Sequence, residues 1–472
     1  MKLKNALSML SRSSPHAVST AGAIDDPALE KIKRYLYVET DIERAFRDKL
    51  HNLKPNEILF LCGSSGDGKS EILTRYRKEY ADKANFHLDA THSFEPKKTA
   101  VDTLNNIFTD FYEADKPLVI GINIGMLGNF EREGDDSHYS IKLAIKDFLE
   151  GKKVEGDYAF IDFEAFPKFQ IVDGEVASEF FSTLLDKIVM DDSRNPFRDY
   201  FNRAASGVND KKIVANILLL RNRAVQKTVV ELLLNARIRK DQFITARMLL
   251  DFIYCILTGS GYLFDNIFSG GENELLDVLK NFDPSFIRNK ELDLFVIHRT
   301  LGFEEGLYTD FSNELERRFN VIEELSPQSV IRCFYLLKNA ELDNNYQRNF
   351  SNSFNEEALV LYKKVWQQHK DYDGSNEKKA AIKSFYNDIF LVAINKYANR
   401  NAPYLTKDEF YIASHGGSDL AAEVDLSIAY SRIEKDDFHD VSHFKLHINV
   451  NDESLPSVPV NVNLLSMMLH VV

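Results

Sequence analysis

The stretch Ile58-Leu-Phe-Leu-Cys-Gly63-Ser-Ser-Gly-Asp-Gly-Lys-Ser70 decides the fold of this chain. Its first five residues are all apolar, which is typical of a strand buried on both faces. The next eight match GxxxxGK[ST] at every position, and good helix formers follow over Glu71–Lys83. Because this pattern lies between a buried strand and a helix, the sequence predicts a P-loop, the loop that holds nucleotide phosphates.

Each residue type in the loop has a chemical reason to be there. Glycine lets backbone N–H groups wrap around phosphate oxygens, Lys69 reaches the β and γ phosphates, and the Ser70 hydroxyl binds Mg²⁺. The N-terminus of the following helix also favours an anion. We therefore expect ATP and Mg²⁺ as cofactors, contacted by Gly63, Ser64, Ser65, Gly66, Asp67, Gly68, Lys69, Ser70 and Glu71.

The residues after the loop predict an open α/β sheet. Three further apolar stretches, Phe86–Leu88, Leu118–Ile124 and Tyr158–Phe163, are typical of strands. Helical stretches such as Ala100–Tyr112 separate them. Strands that alternate with helices in this way indicate a mostly parallel sheet.

Hydrolysis of a nucleoside triphosphate requires a carboxylate that holds Mg²⁺ or orients water, normally at the end of a neighbouring strand. Asp89 follows the second predicted strand, whereas Asp162 and Glu164 end the fourth. If Leu118–Asn123 is the strand that senses the γ-phosphate, the carboxylate strand precedes it. This order favours Asp89 as a catalytic and metal-binding residue. Asp162 and Glu164 stay open as the alternative, and each of these acids could instead cap a helix or lie on the surface.

Asn123 and Arg247 are further catalytic candidates. Asn123 ends an otherwise apolar strand and could position the attacking water, with a plain turn residue as the alternative. Arg247 begins an amphipathic helical stretch, from which an arginine can reach the γ-phosphate and couple the closure of a helical lid to the nucleotide. A helix-terminal salt bridge is the alternative for Arg247.

The apolar periodicity changes along the chain and predicts five segments. We expect a helical leader, a P-loop nucleotide-binding core, a helical lid-like domain, a further helical region and a C-terminal β-hairpin segment, over residues 1–50, 51–174, 175–296, 297–427 and 428–472. The hairpin is expected between Phe444–Val450 and Val458–Val462. The chain stops inside the apolar run Leu464–Val472, which leaves truncation open.

Composition excludes several classes of protein. Charged residues make up 28% of the chain and hydrophobic residues 44%, as in soluble globular proteins. No apolar run approaches the ~18 residues of a membrane span, and the apolar run Ala6–Leu10 is too short for a signal peptide. We therefore expect a cytoplasmic protein without a membrane partner. A net charge of −14 also disfavours nucleic-acid binding over the whole surface.

Basic residues nevertheless concentrate in one segment. Residues Arg194–Arg247 include twelve Lys or Arg and four Asp or Glu, which gives a net charge of +8. This asymmetry suggests a basic face that contacts DNA phosphates, with Arg221 and Arg223 exposed on it. Two alternatives stay open: neutralisation of ATP in a neighbouring subunit of a homo-oligomer, and an ordinary solvated helix face.

Several stretches together resemble the DptF family, the P-loop ATPase components of bacterial restriction systems that depend on DNA phosphorothioation. They are Gly63–Ser70, Leu88–Phe94 with Pro96, Val119–Asn123 with Gly125–Phe130, Phe163-Glu164 with Pro167–Phe169, and Thr245–Phe252. The resemblance implies an antiviral defence complex with DptG- and DptH-like subunits that restricts DNA lacking the sulfur modification. Because the sequence contains no nuclease motif that we recognise, the resemblance places DNA cleavage in a partner.

Three functions fit these observations. The first is an ATPase switch of the AAA+ or STAND type, whose nucleotide state controls complex assembly or DNA engagement. The second is a P-loop kinase, which is less favoured because the chain continues far beyond the nucleotide domain. The third is a scaffold that binds ATP without hydrolysing it.

Overall fold

Four parallel strands form the central sheet: β1 (Ile58–Cys62), β2 (Asn85–His87), β3 (Leu118–Ile122) and β4 (Tyr158–Asp162). Their order in the sheet is β2-β3-β1-β4. Ile58 of β1 lies opposite Leu118 on one side and Tyr158 on the other. The computed structural model describes residues 2–12, 27–90, 99–154, 156–207, 209–240, 242, 244–303, 306–434, 436 and 441–472. The predicted parallel sheet among helices is confirmed.

Helices cover both faces of this sheet. The helices as far as the fourth strand are α1 (Leu3–Leu7), α2 (Pro27–Leu36), α3 (Asp41–His51), α4 (Lys69–Tyr80), α5 (Ala100–Glu113), α6 (Ile124–Glu133) and α7 (Tyr139–Leu149). Because alternate side chains of a strand point to opposite faces, Phe60 and Cys62 pack with α5, α6 and α7. Leu59 and Leu61 pack with α3 and α4 on the other face. The end of β1 is therefore fixed from every side.

A hairpin of β5 (Gln170–Val172) and β6 (Glu175–Ala177) follows the sheet. Its turn contains Asp173 and Gly174, both with positive φ. The domain boundary expected at residue 174 falls in this turn. The hairpin itself was not predicted. Ile171 and Val176 are buried in the hydrophobic cluster of the helices that follow, so the hairpin packs with the helical part of the chain.

The long middle of the chain is helical, as its periodicity predicts. Its helices are α8 (Glu179–Val189), α9 (Arg198–Ala205), α10 (Lys211–Arg221), α11 (Arg223–Lys240), α12 (Ala246–Thr258), α13 (Leu263–Asn266), α14 (Glu274–Leu279), α15 (Lys290–Thr300), α16 (Gly306–Phe319), α17 (Pro327–Leu337), α18 (Glu357–Lys370), α19 (Asn376–Phe385) and α20 (Leu391–Ala398). A π-helical turn, Tyr386–Phe390, joins the last two. None of the helices within the described ranges is long and apolar enough to cross a membrane.

Residues 2–12, which we call the N-terminal segment, are part of this helical core. Leu3, Leu7 and Leu10 are buried in the same hydrophobic cluster as α12. The Asp251 carboxylate on α12 accepts the backbone N–H of Arg12 at 2.7 Å. The leader expected over residues 1–50 therefore begins with a segment that is packed against the middle of the chain.

The C-terminal part contains several short strands and two helices. They are β7 (Glu409–His415), β8 (Ser418–Glu423), β9 (Leu426–Ile428), α21 (Tyr430–Ile433), β10 (Phe444–Leu446), β11 (Ile448–Val450), β12 (Glu453–Ser454), β13 (Val458–Val460) and α22 (Val462–Val471). β10 pairs with β13 in antiparallel fashion. β11 pairs instead with β12 and β9, so the single strand expected over residues 444–450 is split between two sheets.

Two further features of this region differ from the sequence prediction. The hairpin of β7 and β8 lies within residues 297–427, which were expected to be helical. Gly416 and Gly417, with φ of 60° and 83°, form its tight turn, and this glycine pair was the available signal. The apolar run Leu464–Val472 lies mostly in the helix α22, which begins at a side-chain cap from Asn461.

Candidate functional site

The loop Gly63–Ser70, which we call the glycine loop, leaves the buried end of β1 and enters α4. Gly66 and Gly68 have φ of +87° and +108°, a region that residues with a side chain rarely adopt. Gly68 is the N-cap of α4 and has no side chain with which to cap the helix. The first N–H groups of α4 therefore lack the N-cap side chain that usually satisfies one of them, which fits an anion bound at this end.

Lys69 points back into the glycine loop. Its ammonium donates to the carbonyl oxygens of Gly63 and Ser64, each at 2.8 Å. Burial lowers the pKa of Lys69, while the negative charges of Asp67 and Asp89 raise it. Two carbonyl oxygens thus hold the lysine inside the loop. A phosphate oxygen can replace either of them as the acceptor of a hydrogen bond from the ammonium.

A cavity of about 1120 Å³ opens in front of the loop and brings most of the predicted site residues together. Loop residues 65–71 line it, and so do Asp89, Asn123 and Arg247. Gly63 and Ser64 are not among the lining residues, although their carbonyl groups hold Lys69. Glu71, which was expected to contact the nucleotide, lies 3.8 Å from the Lys33 ammonium on the cavity wall.

The competing carboxylates occupy different positions. Asp89 follows β2 and lines the cavity, whereas Asp162 and Glu164 do not line it. Asp162 accepts the backbone N–H of Glu164 at 3.1 Å and so caps a short 3₁₀ turn. Burial raises the pKa of Asp162, and the nearby Asp67 adds to the rise. The geometry favours Asp89 as the acid that faces a ligand, and its role as a metal ligand stays a prediction.

Asn123 has a structural role as well as a place in the cavity. Its Oδ1 accepts the backbone N–H of Met126 at 2.6 Å, which caps α6. The alternative role of Asn123, that of a plain turn residue, therefore applies to its side-chain oxygen. The amide nitrogen of the same side chain is not used by this cap, so a donor role toward a ligand is compatible with the cap.

Arg247 is carried to the glycine loop by the first turn of α12. Thr245 caps this helix through its hydroxyl. The backbone N–H of Arg247 donates to the carbonyl oxygen of Gly66 at 3.3 Å. The helical part of the chain is thereby in direct contact with the loop that follows β1.

Apolar side chains also line the cavity, and these were not predicted. They include Val38, Ile42, Phe180, Leu184 and Leu250. These residues come from the segment before α3, from the start of α3 itself, and from α8 and α12. Since such residues are ordinary core formers, no local motif in the sequence singles them out.

A buried ion pair inside the loop was also missed. The Asp67 carboxylate accepts the Lys168 ammonium at 2.8 Å and the backbone N–H of Ser64 at 2.8 Å. Lys168 belongs to the segment between β4 and β5. Asp67 was predicted to contact the nucleotide only as a member of the loop motif, and no role was predicted for Lys168.

The basic segment Arg194–Arg247 is largely neutralised by acids outside it. Arg223 forms a two-pronged pair with Asp186, at 2.6 and 3.0 Å. Further pairs join Arg194 to Asp192, Arg198 to Asp191, Lys212 to Glu323, Lys227 to Glu175 and Arg239 to Glu356. Arg221 was expected to be exposed but is half-buried, with its Nε donating to the Val189 carbonyl at 2.5 Å. The net charge of +8 therefore overstates the positive charge of this surface.

Three comparisons with known proteins complete the description of the site. No protein-family model matches the chain, and neither a curated protein nor a solved structure is significantly similar to it. Function is therefore inferred from the geometry of the cavity.

Proposed function

We propose that this chain binds a nucleoside triphosphate with Mg²⁺, ATP in the first instance, and hydrolyses it. One observation carries the proposal. An uncapped helix N-terminus, the Lys69 ammonium and the side chains of Asp89, Asn123 and Arg247 all belong to the same cavity. A helix N-terminus that favours an anion, together with an acid, an amide and cations in the same cavity, is suited to a metal-bound polyphosphate.

The order of the strands supports this proposal. β1 lies between β3 and β4, so the chain runs to opposite sides of β1 as it builds the sheet. In open parallel sheets, ligands bind at the carboxyl ends of the strands where the strand order reverses. The glycine loop leaves β1 at that point, and Asp89 and Asn123 follow the two strands on one side of it.

Each residue has a role in the proposed reaction. Backbone N–H groups of the glycine loop and the Lys69 ammonium bind the phosphates. The Ser70 hydroxyl and the Asp89 carboxylate would hold Mg²⁺, which supplies Lewis-acid stabilisation of phosphate charge when bound. Mg²⁺ usually takes one or two protein ligands beside phosphates and water, so two donors suffice. Arg247 adds positive charge where the terminal phosphate ends, and the Asn123 amide orients water.

The apolar side chains that line the cavity suit the base of the nucleotide. They come from α8 and α12, together with Val38 and Ile42. The base would therefore contact the helices, while the phosphates contact the glycine loop at the end of the sheet. Arg247 links the same two parts through Gly66. This arrangement supports a nucleotide-driven switch of the AAA+ or STAND type, with α8 and α12 in a lid, over a small-molecule kinase.

The resemblance to DptF supports a place for this switch in a phosphorothioation-dependent restriction complex. DptG- and DptH-like subunits and DNA would then be its partners. Two of the stretches that carry the resemblance, residues 91–94 and Pro96, lie outside the described residues. Assembly with the two subunits, compared in ATP and in ADP, tests this placement. Equal assembly in both nucleotides would argue against a switch.

The experiment for the proposed function compares the wild type with Lys69→Ala and with Lys78→Ala, an exposed lysine on the same helix. Binding of a fluorescent ATP analogue and release of phosphate are measured with and without Mg²⁺. We expect Lys69→Ala to lose hydrolysis and to bind ATP more weakly, and Lys78→Ala to match the wild type.

Other outcomes separate the alternatives. Retention of ATP without phosphate release would favour the scaffold. Transfer of the phosphate to another molecule would favour the kinase. A wild-type protein that binds no nucleotide would reject the proposal.

A further inference from the structure

We propose that Lys168 is a positioning residue for nucleotide binding, whose ammonium neutralises the Asp67 carboxylate inside the glycine loop without itself contacting phosphate. This inference rests on the proposed function, because it concerns how the loop accepts a polyphosphate. It assigns a purpose to an ion pair that the phosphate-binding pattern does not require.

The two side chains form a closed unit. The Asp67 side chain is 0% exposed and the Lys168 side chain 15% exposed, with 2.8 Å between the ammonium and Oδ1 of the carboxylate. The other carboxylate oxygen, Oδ2, accepts the backbone N–H of Ser64 at 2.8 Å. Both oxygens of Asp67 are therefore occupied, one by the loop itself and one by the segment after β4.

A carboxylate at this place opposes the function of the loop unless it is paired. The glycine loop must attract a triphosphate, and a buried negative charge among its N–H groups would repel one. A cation directly on Asp67 cancels this unfavourable charge at its source.

The backbone around Lys168 holds its ammonium in this position. The Ser178 hydroxyl, which caps α8, donates to the Lys168 carbonyl oxygen at 2.5 Å. The Lys168 ammonium also lies 5.6 Å from the centre of the Phe163 ring. Lys168 is thus fixed between the glycine loop and the start of α8.

The alternative is that Lys168 contacts phosphate directly, since it also lines the cavity. The two roles predict different results when Asp67 is neutralised. A counter-ion is needed only while the carboxylate is charged, whereas a phosphate ligand is needed in either case. A double-mutant cycle on this pair therefore distinguishes them.

The experiment measures the affinity for Mg²⁺ and a fluorescent ATP analogue in the wild type, Asp67→Asn, Lys168→Met and the double variant Asp67→Asn with Lys168→Met. Lys168→Met leaves a buried carboxylate unpaired, so we expect affinity to fall by about tenfold or more. The double variant removes both charges, and its affinity should return to within about threefold of the wild type. Lys78→Met controls for loss of a lysine on the surface of α4.

Two further measurements keep the test decisive. Circular dichroism and thermal unfolding show whether Lys168→Met is folded. If it is not, Lys168→Arg, which keeps the positive charge, is compared with Lys168→Gln, and only the arginine variant should keep near-wild-type affinity.

A double variant that binds as weakly as Lys168→Met would overturn the inference, and so would wild-type affinity in Lys168→Met. If Lys168→Arg binds as weakly as Lys168→Gln, the inference is also wrong. Absence of binding in the wild type would instead reject the proposed function, so the two failures can be told apart.

Discussion

The carbonyl oxygen of Gly66 accepts the backbone N–H of Arg247 at 3.3 Å, which joins the tip of the glycine loop to the first turn of α12. One partner belongs to the loop that follows the sheet and the other to the helical part of the chain. This hydrogen bond therefore couples the position of α12 to that of the glycine loop.

The close approach at Gly66 predicts that Gly66→Ala weakens nucleotide binding more than backbone strain alone explains. A Cβ atom there would lie 3.2 Å from the Thr245 hydroxyl, at a φ of +87°. Gly151→Ala is the matched control, because its φ is +68° and no described residue lies within 4 Å of its Cβ position. Both changes should cost about 1–2 kcal/mol of unfolding free energy, but only Gly66→Ala should reduce ATP affinity. Equal affinities would show that the contact with α12 is unimportant.

Arg247→Ala should lower phosphate release by about tenfold or more and change ATP affinity less, because positive charge at the terminal phosphate matters most during transfer. The contact with Gly66 uses the backbone, so the substitution removes the guanidinium without removing that hydrogen bond. Steady-state kinetics measure the two effects, with Arg34→Ala, an exposed arginine on α2, as the control. An unchanged kcat would leave only the helix-terminal role for this side chain.

Asp89→Asn should lower phosphate release by about tenfold or more while ATP binding is largely kept, since charge stabilisation is strongest in the transition state. Asp82→Asn, in an exposed turn before β2, is the matched control. Asp162→Asn and Glu164→Gln test the competing acids in the same assay. If either of these gives the loss and Asp89→Asn does not, the assignment of the metal ligand is wrong.

Arg221→Glu should lower the free energy of unfolding by on the order of 3 kcal/mol. The reason is that the Arg221 guanidinium is half-buried and lies 4.1 Å from the centre of the Phe201 ring. Arg223→Glu breaks a more exposed pair with Asp186 and should cost about 1 kcal/mol or less. Urea unfolding measures both. Only Arg223→Glu is thus suitable for testing DNA contact, and similar costs for the two changes would contradict the burial of Arg221.

The burial of His369 predicts that the free energy of unfolding decreases as the pH falls. Burial lowers its pKa to about 4 from an ordinary 6.5, with Asp436 opposing and His447 adding to the shift. Between these values the unfolded chain binds a proton that the folded protein does not, so unfolding free energy decreases as pH falls, by on the order of 3 kcal/mol in full. Urea unfolding from pH 7 to pH 4.5 should show this slope, and His369→Gln should reduce it. An equal slope in the variant would assign the effect to other groups.

Local patterns predicted the parts of the site that lie close together in sequence. β1, the glycine loop and the start of α4 follow from consecutive residues, because strand burial, glycine conformation and helix propensity act locally. Asn123 could be selected as the polar end of a strand, but its role as the cap of α6 depends on the turn that follows.

Contacts between distant parts of the chain could not be predicted in this way. Lys168 contacts Asp67 across 101 positions of sequence, and the stretch Pro167–Phe169, which contributes to the resemblance, gives it no chemical role. The basic segment was misjudged for the same reason, since acids such as Asp186 lie outside the window in which charges were counted. The hairpin of β7 and β8 was missed because much of it is exposed, so its strands lack the alternation of apolar and polar residues that marks a half-buried strand.

The bond between Arg12 and Asp251, 239 positions apart in the sequence, also constrains how the protein is made. On the ribosome the N-terminal segment emerges before α12, so Leu3, Leu7 and Leu10 at first lack the helix that covers them in the folded protein. Domains generally fold as units once their residues are available, so this segment stays without its partner until the middle of the chain has been synthesised. The cavity in front of the glycine loop, which Met9 and Leu10 help to line, is therefore completed only after α12 has been synthesised.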